Sequence, residues 1–131
     1  MSRAAHILLI EDDASLATNL CDVLEEDGFK VTLCNRGDEG MRRASNDECD
    51  VVLTDLRLPG LGGLDLVRQL HDTQPRLPVV LMTAHGTIET AIEATKLGAY
   101  DYLQKPFEMR QLLGVLQRAV DAGRLMRELV S

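Results

Sequence analysis

Short apolar runs and longer amphipathic stretches alternate five times along this chain. His6–Ile10 is the first apolar run, and Leu16, Leu20, Val23 and Leu24 then recur at helical spacing on one face. Asp13 or Ser15 is placed to cap that helix, and Gly28 to end it. Residues 29–33 alternate as a strand does, 35–37 form a turn, and a short polar helix runs to about Asn46. Residues 51–54 predict a third strand, followed from Gly63 to about Asp72 by a helix carrying Leu64, Leu66, Val67 and Leu70. Pro75 and Pro78 bracket the turn into a fourth strand at 79–82. Thr87 to about Leu97 predicts a helix with Ile88, Ala91 and Ile92 turned inward and Gly98 as its stop. Residues 100–103 predict a fifth strand, and Pro106 suits the start of a last helix from about Glu108 to the C-terminus.

Repeated strand–helix alternation implies a parallel sheet, right-handed crossovers and helices on both faces. Five such units fit an α/β fold with a five-stranded parallel sheet in the order 2-1-3-4-5, a flavodoxin-like (βα)5 arrangement. The 131 residues suit one domain with a real core. Aromatic residues make up only 3% of the chain and Trp is missing, so that core must be aliphatic.

Charge and cysteine content narrow the function. A net charge of −7 argues against a nucleic-acid face on this segment. Apolar runs fall short of the roughly 20 residues that span a bilayer, and the first residues lack the apolar stretch of a signal peptide, so no membrane partner and a cytoplasmic location are expected. Cys21, Cys34 and Cys49 are odd in number and lack metal-ligand spacing, which fits reduced, packed thiols. His6, His71 and His85 read as surface or strand-edge residues, with His85 set apart because it lies two places after Thr83.

The chemistry collects at strand carboxyl ends. The first strand runs into Glu11, Asp12 and Asp13, the third into Asp55, the fourth into Thr83, and the fifth into Gln104, Lys105 and Pro106. In an open α/β sheet this edge binds ligands, and in the order 2-1-3-4-5 strands 1, 3, 4 and 5 are neighbours. Glu11, Asp12 and Asp55 would repel one another and raise each other's pKa unless a cation intervened. Hard oxygen ligands suit Mg2+. Lys105 adds a mobile positive charge, Thr83 a hydroxyl, and the backbone around Ala84 an N–H donor. A carboxylate so surrounded is equipped to accept a phosphoryl group as nucleophile, with Asp55 becoming an aspartyl phosphate. There is no Walker A motif and no Gly-x-Gly-x-x-Gly, which argues against a bound nucleotide donor.

Four segments in order carry a resemblance: Ile-Glu-Asp-Asp at 10–13, Leu-Thr-Asp-Leu-Arg-Leu-Pro-Gly at 53–60, Met-Thr-Ala-His-Gly at 82–86 and Asp-Tyr-Leu-Gln-Lys-Pro-Phe at 101–107. Together they resemble the receiver domain of two-component response regulators, over about residues 6–121. The resemblance implies Asp55 as phosphoacceptor, Glu11 and Asp12 as the acid pair with Asp12 a direct Mg2+ ligand, and the carbonyl of Arg57 as a further ligand. It also implies that Thr83 and Lys105 bind the phosphoryl group, that Tyr102 is an aromatic switch, and that the Lys105–Pro106 bond is cis. Family members often carry Asp where Gly62 stands, which implies a looser loop after Asp55. Asp13 is assigned to capping rather than to metal.

A sensor histidine kinase is the implied donor, and the surface of the fourth helix, fifth strand and last helix the implied output face. The segments around 82–107 look like the NtrC-type regulators that work with the nitrogen-type sigma factor, so DNA contact is expected only through an output domain outside these residues. Residues 1–121 are then the receiver domain and 122–131 an extension of the last helix toward a linker. Leu112, Leu116, Ala119, Gly123, Met126 and Val130 alternate spacings of four and three, as a dimerising seam does, although the same stripe also fits a helix packed on the sheet. A homodimer through that helix or the output face is thus one expectation, and a stand-alone receiver acting by protein binding is another. Singly, each site residue has a plainer reading: Asp55 or Thr83 as a cap, residues 11–13 as a solvated helix start, Lys105-Pro106 as a turn, Tyr102 as core with its hydroxyl in water. A Mg2+-dependent Asp-nucleophile phosphatase would show Asp-x-Asp where this chain has Glu-Asp-Asp. A flavodoxin-like cofactor binder would need a Ser/Thr-Gly loop after the first strand.

Overall fold

A computed structural model describes residues 4–46 and 48–130. Strands and helices alternate as β1 (His6–Ile10), α1 (Ala14–Glu26), β2 (Lys30–Cys34), α2 (Gly37–Asn46), β3 (Val51–Asp55), α3 (Gly63–Thr73), β4 (Val79–Thr83), α4 (Ile88–Leu97), β5 (Asp101–Gln104) and α5 (Met109–Val130). The five strands are parallel in the order β2-β1-β3-β4-β5. Two strands are displaced from their expected positions by one residue: β2 starts after Phe29, which is buried as an apolar plug, and β5 starts after Tyr100.

Strands covered on both faces read as continuous apolar runs, because both side-chain directions meet helices. Every residue of β3 and β4 is buried. Ile7, Leu9, Leu53, Val80 and Met82 point to one side, against Leu20 and Leu24 of α1 and Leu112 and Leu116 of α5. Leu8, Ile10, Val52 and Leu81 point to the other, against Leu66, Val67 and Leu70 of α3 and Ala94 of α4. Each large side chain so buried contributes roughly 1.5–3 kcal/mol. The register pairs Ile10 with Thr54, Asp55 with Met82 and Thr83 with Gln104. The carboxyl ends of four neighbouring strands thus finish level on one edge.

Two helices differ from their sequence reading. In α4, Ile88 is 78% and Ile92 51% exposed, so these isoleucines do not face inward. The packed face instead carries Thr90, Ala91, Ala94 and Leu97. Small residues let α4 lie close to the sheet, and the Ile88–Ile92 pair falls on the opposite side of the turn. In α5, Leu112, Leu116, Ala119 and Gly123 are buried within the domain, so this part of the stripe packs on the protein's own sheet and is not a dimer seam. Gly123 is a close approach rather than a flaw in the helix: a Cβ there would lie 2.9 Å from Pro78 Cδ and 3.3 Å from the Arg76 carbonyl oxygen. Met126 is half exposed, and the side chain of Val130 lies outside the described residues. No helix among the described residues is long and apolar enough to cross a membrane.

Candidate functional site

Three strand ends supply the centre of the site. Glu11 follows β1, Asp55 ends β3 and Lys105 follows β5. Lys105 Nζ donates to Asp55 Oδ2 at 2.6 Å and to Glu11 Oε2 at 3.2 Å. The backbone N–H of Arg57 donates to Asp55 Oδ1 at 2.9 Å, and that of Asp13 to Glu11 Oε1 at 3.2 Å. Side-chain exposure falls from 17% at Lys105 through 12% at Asp55 to 1% at Glu11. Asp12 is exposed at the rim, yet one carboxylate oxygen from each of Glu11, Asp12 and Asp55 lies within 4.8 Å of the others.

Two buried acids share one lysine, and this shifts the pKa of all three groups. Burial, the hydrogen bond with Asp55 and its negative charge push Glu11 up to about 7. Burial alone would raise Asp55 too, but Lys105 and the Arg57 N–H override it and hold that carboxyl below its ordinary value. Lys105 loses hydration on burial, yet the two acids more than offset this and raise its pKa. Asp55 is thus the stronger acid of the pair and Glu11 the weaker.

Thr83 ends β4, fully buried, and its Oγ1 accepts from the His85 N–H at 3.0 Å. The Lys105 N–H bonds the Thr83 carbonyl at 2.7 Å, which ties the lysine segment to the threonine strand. Tyr102 is half-buried, and its hydroxyl lies 3.0 Å from Thr90 Oγ1 on α4 instead of in water. The sequence reading missed Thr90, although its Thr-x-x-Thr spacing with Thr87 is the signal of a helix cap. The side chains of Arg57 and His85 are exposed beside the site. Asp13 caps α1 by accepting from the Leu16 N–H at 3.2 Å, as expected. Gly62 stands at the start of α3 without a side-chain cap, but the loop is held by Gly63 N–H on the Leu56 carbonyl at 2.9 Å and Gly37 N–H on the Pro59 carbonyl at 3.0 Å. The Lys105–Pro106 bond is cis. Cys34 is buried, Cys21 and Cys49 are half-buried, and burial raises the Cys21 thiol.

A second charged cluster occupies the opposite edge of the sheet. Asp50, just before β3, is 2% exposed and accepts from the His6 N–H at 2.9 Å. Arg124 reaches it at 3.2 and 3.3 Å and Arg127 at 3.0 Å, both from the end of α5. The sequence reading did not find this cluster.

At the carboxyl edge, the arrangement can hold a hard cation between carboxylates and set a carboxylate nucleophile beside a lysine and a hydroxyl. Comparisons with known proteins bear on that chemistry. A family model described as the response regulator receiver domain matches residues 7–117. The transcriptional regulatory protein DctD of Pseudomonas aeruginosa is 39% identical over 122 residues, covering 93% of this chain and 26% of that protein. The DNA-binding transcriptional regulator NtrC of Escherichia coli is 35% identical over 114 residues, covering 87% of this chain and 24% of that protein. A receiver domain structure from Clostridium thermocellum superposes with a TM-score of 0.87 at 35% identity, over 93% of this chain and 98% of that one. The chain thus spans about a quarter of the length of the two curated relatives.

Proposed function

Because the chain belongs to the response regulator receiver domain family, we propose that it is a phosphorylation-controlled switch whose acceptor is Asp55 and whose donor is a sensor histidine kinase. One observation carries this reading: two buried carboxylates, Asp55 and Glu11, converge on a single lysine at the carboxyl edge of the sheet. A surplus of buried negative charge is costly to a fold, so a cation is its natural complement, and that cation in turn lets an anionic phosphoryl group approach.

The residues fit Mg2+: Glu11, Asp12 and Asp55 offer only hard oxygens, close enough to share one ion, and the Arg57 carbonyl would complete the protein's set. Bound there, Mg2+ would neutralise the carboxylates and the transferring phosphoryl oxygens. In the transfer, an Asp55 oxygen attacks phosphorus, the P–O bond forms, and the P–N bond of phosphohistidine breaks with its electron pair returning to the imidazole. Lys105 Nζ, now on Asp55, turns to a phosphoryl oxygen. The Thr83 hydroxyl donates to another, and Tyr102 follows Thr83 inward. Arg57 and His85 flank the acceptor and tune the phosphate lifetime by hindering or orienting an attacking water.

Relatives that are transcriptional regulators favour a transcriptional output of the NtrC type through a module beyond residues 1–121. The first four stripe residues of α5 lie in the core, so among the described residues the large apolar side chains this helix offers to a homodimer are Leu125, Met126 and Leu129, which are 55%, 50% and 72% exposed. Sedimentation with and without beryllofluoride separates that dimer from a stand-alone receiver, which would stay monomeric. Acetyl phosphate with Mg2+ should modify the wild-type protein at one site and leave Asp55→Asn unmodified. Full modification of the Asn variant would place the acceptor elsewhere.

A further inference from the structure

The Tyr102 hydroxyl ends on a residue that already has a task. Thr90 is the third residue of α4 and one half of a reciprocal cap: its Oγ1 accepts from the Thr87 N–H at 2.9 Å, while Thr87 Oγ1 accepts from the Thr90 N–H at 3.1 Å. Thr90 Oγ1 has one proton and two lone pairs. The proton goes to the Thr87 carbonyl at 3.0 Å, and one lone pair takes the Thr87 N–H. Thr90 Oγ1 is also within reach of the Thr87 hydroxyl at 3.1 Å and of the Tyr102 hydroxyl at 3.0 Å, so the phenol is a further hydrogen-bond partner of Thr90. Tyr102 therefore completes the polar network that starts α4.

Gly86 joins the same network to the phosphoacceptor side. A Cβ at Gly86 would lie 2.5 Å from the Tyr102 hydroxyl oxygen and 3.1 Å from Thr83 Cγ2. The missing side chain is what lets the tip of Tyr102 lie next to the threonine of the site.

We infer that Thr90 is a positioning residue: it ties Tyr102 to the amino-terminal cap of α4, so that withdrawing Tyr102 toward Thr83 loosens the first turn of that helix. The inference rests on the switch reading given above and deepens it, because it names how the site reaches α4. The exposed Ile88 and Ile92 lie on that same turn and the next, so a loosened cap changes how this apolar pair is presented.

Amide hydrogen exchange, resolved along α4, tests the link in the free protein. Tyr102→Phe removes the phenol partner of Thr90 and leaves the Thr87–Thr90 cap intact. It should speed exchange at Ala91 and its neighbours by about fivefold, the size of one net hydrogen bond. Thr90→Val should do more, because it also breaks the cap, and Thr90→Ser should restore the wild-type rate. Adding Tyr102→Phe to Thr90→Val should change nothing further. An unchanged rate in Tyr102→Phe, or full additivity in the double variant, would overturn the tie. With beryllofluoride and Mg2+, the wild-type protein should show the same loosening, and protection there equal to the free protein would also overturn it. If beryllofluoride fails to bind the wild-type protein, the phosphorylation reading falls, and the free-protein comparison still decides the tie.

Discussion

One strand, β3, has a buried aspartate at each end, and the two ends are built on opposite principles. Asp50, before its first residue, meets two arginines and a backbone N–H. Asp55, its last residue, shares one lysine with a second buried acid and lies near a third. At Asp50 charge is matched or exceeded by cations, and the carboxyl is held below its ordinary value despite burial. At Asp55 negative charge is in surplus, and burial together with the neighbouring Asp55 pushes Glu11 up to about 7. Both clusters look alike as ion pairs. Their charge sums separate a balanced fastening from a cluster with negative charge in surplus.

The largest expected effect lies at the fastening. Asp50→Asn leaves two arginines facing a neutral group, and the end of α5 loses its hold on the sheet floor. Breaking a buried pair costs about 3–5 kcal/mol, but Arg124 and Arg127 can turn partly to water, so a loss of about 2–4 kcal/mol in urea unfolding is expected. Phosphorylation by acetyl phosphate under native conditions should persist. A variant as stable as the wild type would show that the two ends do not differ as argued.

The pH response should differ next. Folded Glu11 holds its proton up to about 7, whereas the ordinary value is 4.5. Between those values the folded state binds more protons than the unfolded state, so stability falls as pH rises through that window. Asp50 works the other way: its depressed value keeps its contribution intact above the ordinary carboxylate range and loses it only as pH falls through the folded value. Without divalent ions, the urea midpoint should therefore decline from pH 5 to pH 8, and Glu11→Gln should remove that decline. Mg2+ should also remove it, since an ion among the carboxylates favours their charged forms. A midpoint rising across this range in the wild type, with no change in Glu11→Gln, would refute the assignment.

Neutralising the other end of β3 should scarcely harm the fold. Asp55→Asn leaves a single Glu11–Lys105 pair in place of two acids on one lysine. Lost repulsion and lost attraction nearly cancel, and a gain of up to about 1 kcal/mol is expected at pH 7. The contrast with Asp50→Asn is the measurement: same strand, same substitution, opposite sign. A loss above about 2 kcal/mol in Asp55→Asn would mean that this end is structural too.

What the sequence made legible follows from how local each signal is. Five strand–helix pairs were readable because a sheet covered on both faces gives unbroken apolar runs, and the strand order is the one that five such units with their chemistry on strands 1, 3, 4 and 5 fitted. Glu11, Asp55, Thr83 and Lys105 were readable because each ends or follows such a run, and the structure brings them to one edge. Long-range pairing was not readable. Asp50 finds Arg124 and Arg127 across 74 and 77 residues, with no periodicity linking them. The rotation of α4 failed for a related reason: two isoleucines outweighed the alanines on the true inner face, because apolar size says nothing about how closely a helix can approach. The contact between Tyr102 and Thr90 was not readable either, because its two residues sit on different elements.

The smallest effect separates two adjacent acids at the site's rim. Asp12 and Asp13 are both exposed, and residue type alone does not distinguish them. Geometry does: Asp13 accepts from the Leu16 N–H as the cap of α1, while a carboxylate oxygen of Asp12 joins those of Glu11 and Asp55. Asp13→Ala should cost about 1 kcal/mol, as a lost cap does, and leave the Mg2+ affinity within about twofold. Asp12→Ala should leave stability without Mg2+ nearly unchanged, or raise it slightly by removing a like charge, and weaken Mg2+ binding by at least about tenfold. Titrating Mg2+ against both variants, with urea unfolding in its absence, gives both readings on each protein. Equal losses of Mg2+ affinity would assign both acids to the metal and leave α1 without the cap that its first turn requires.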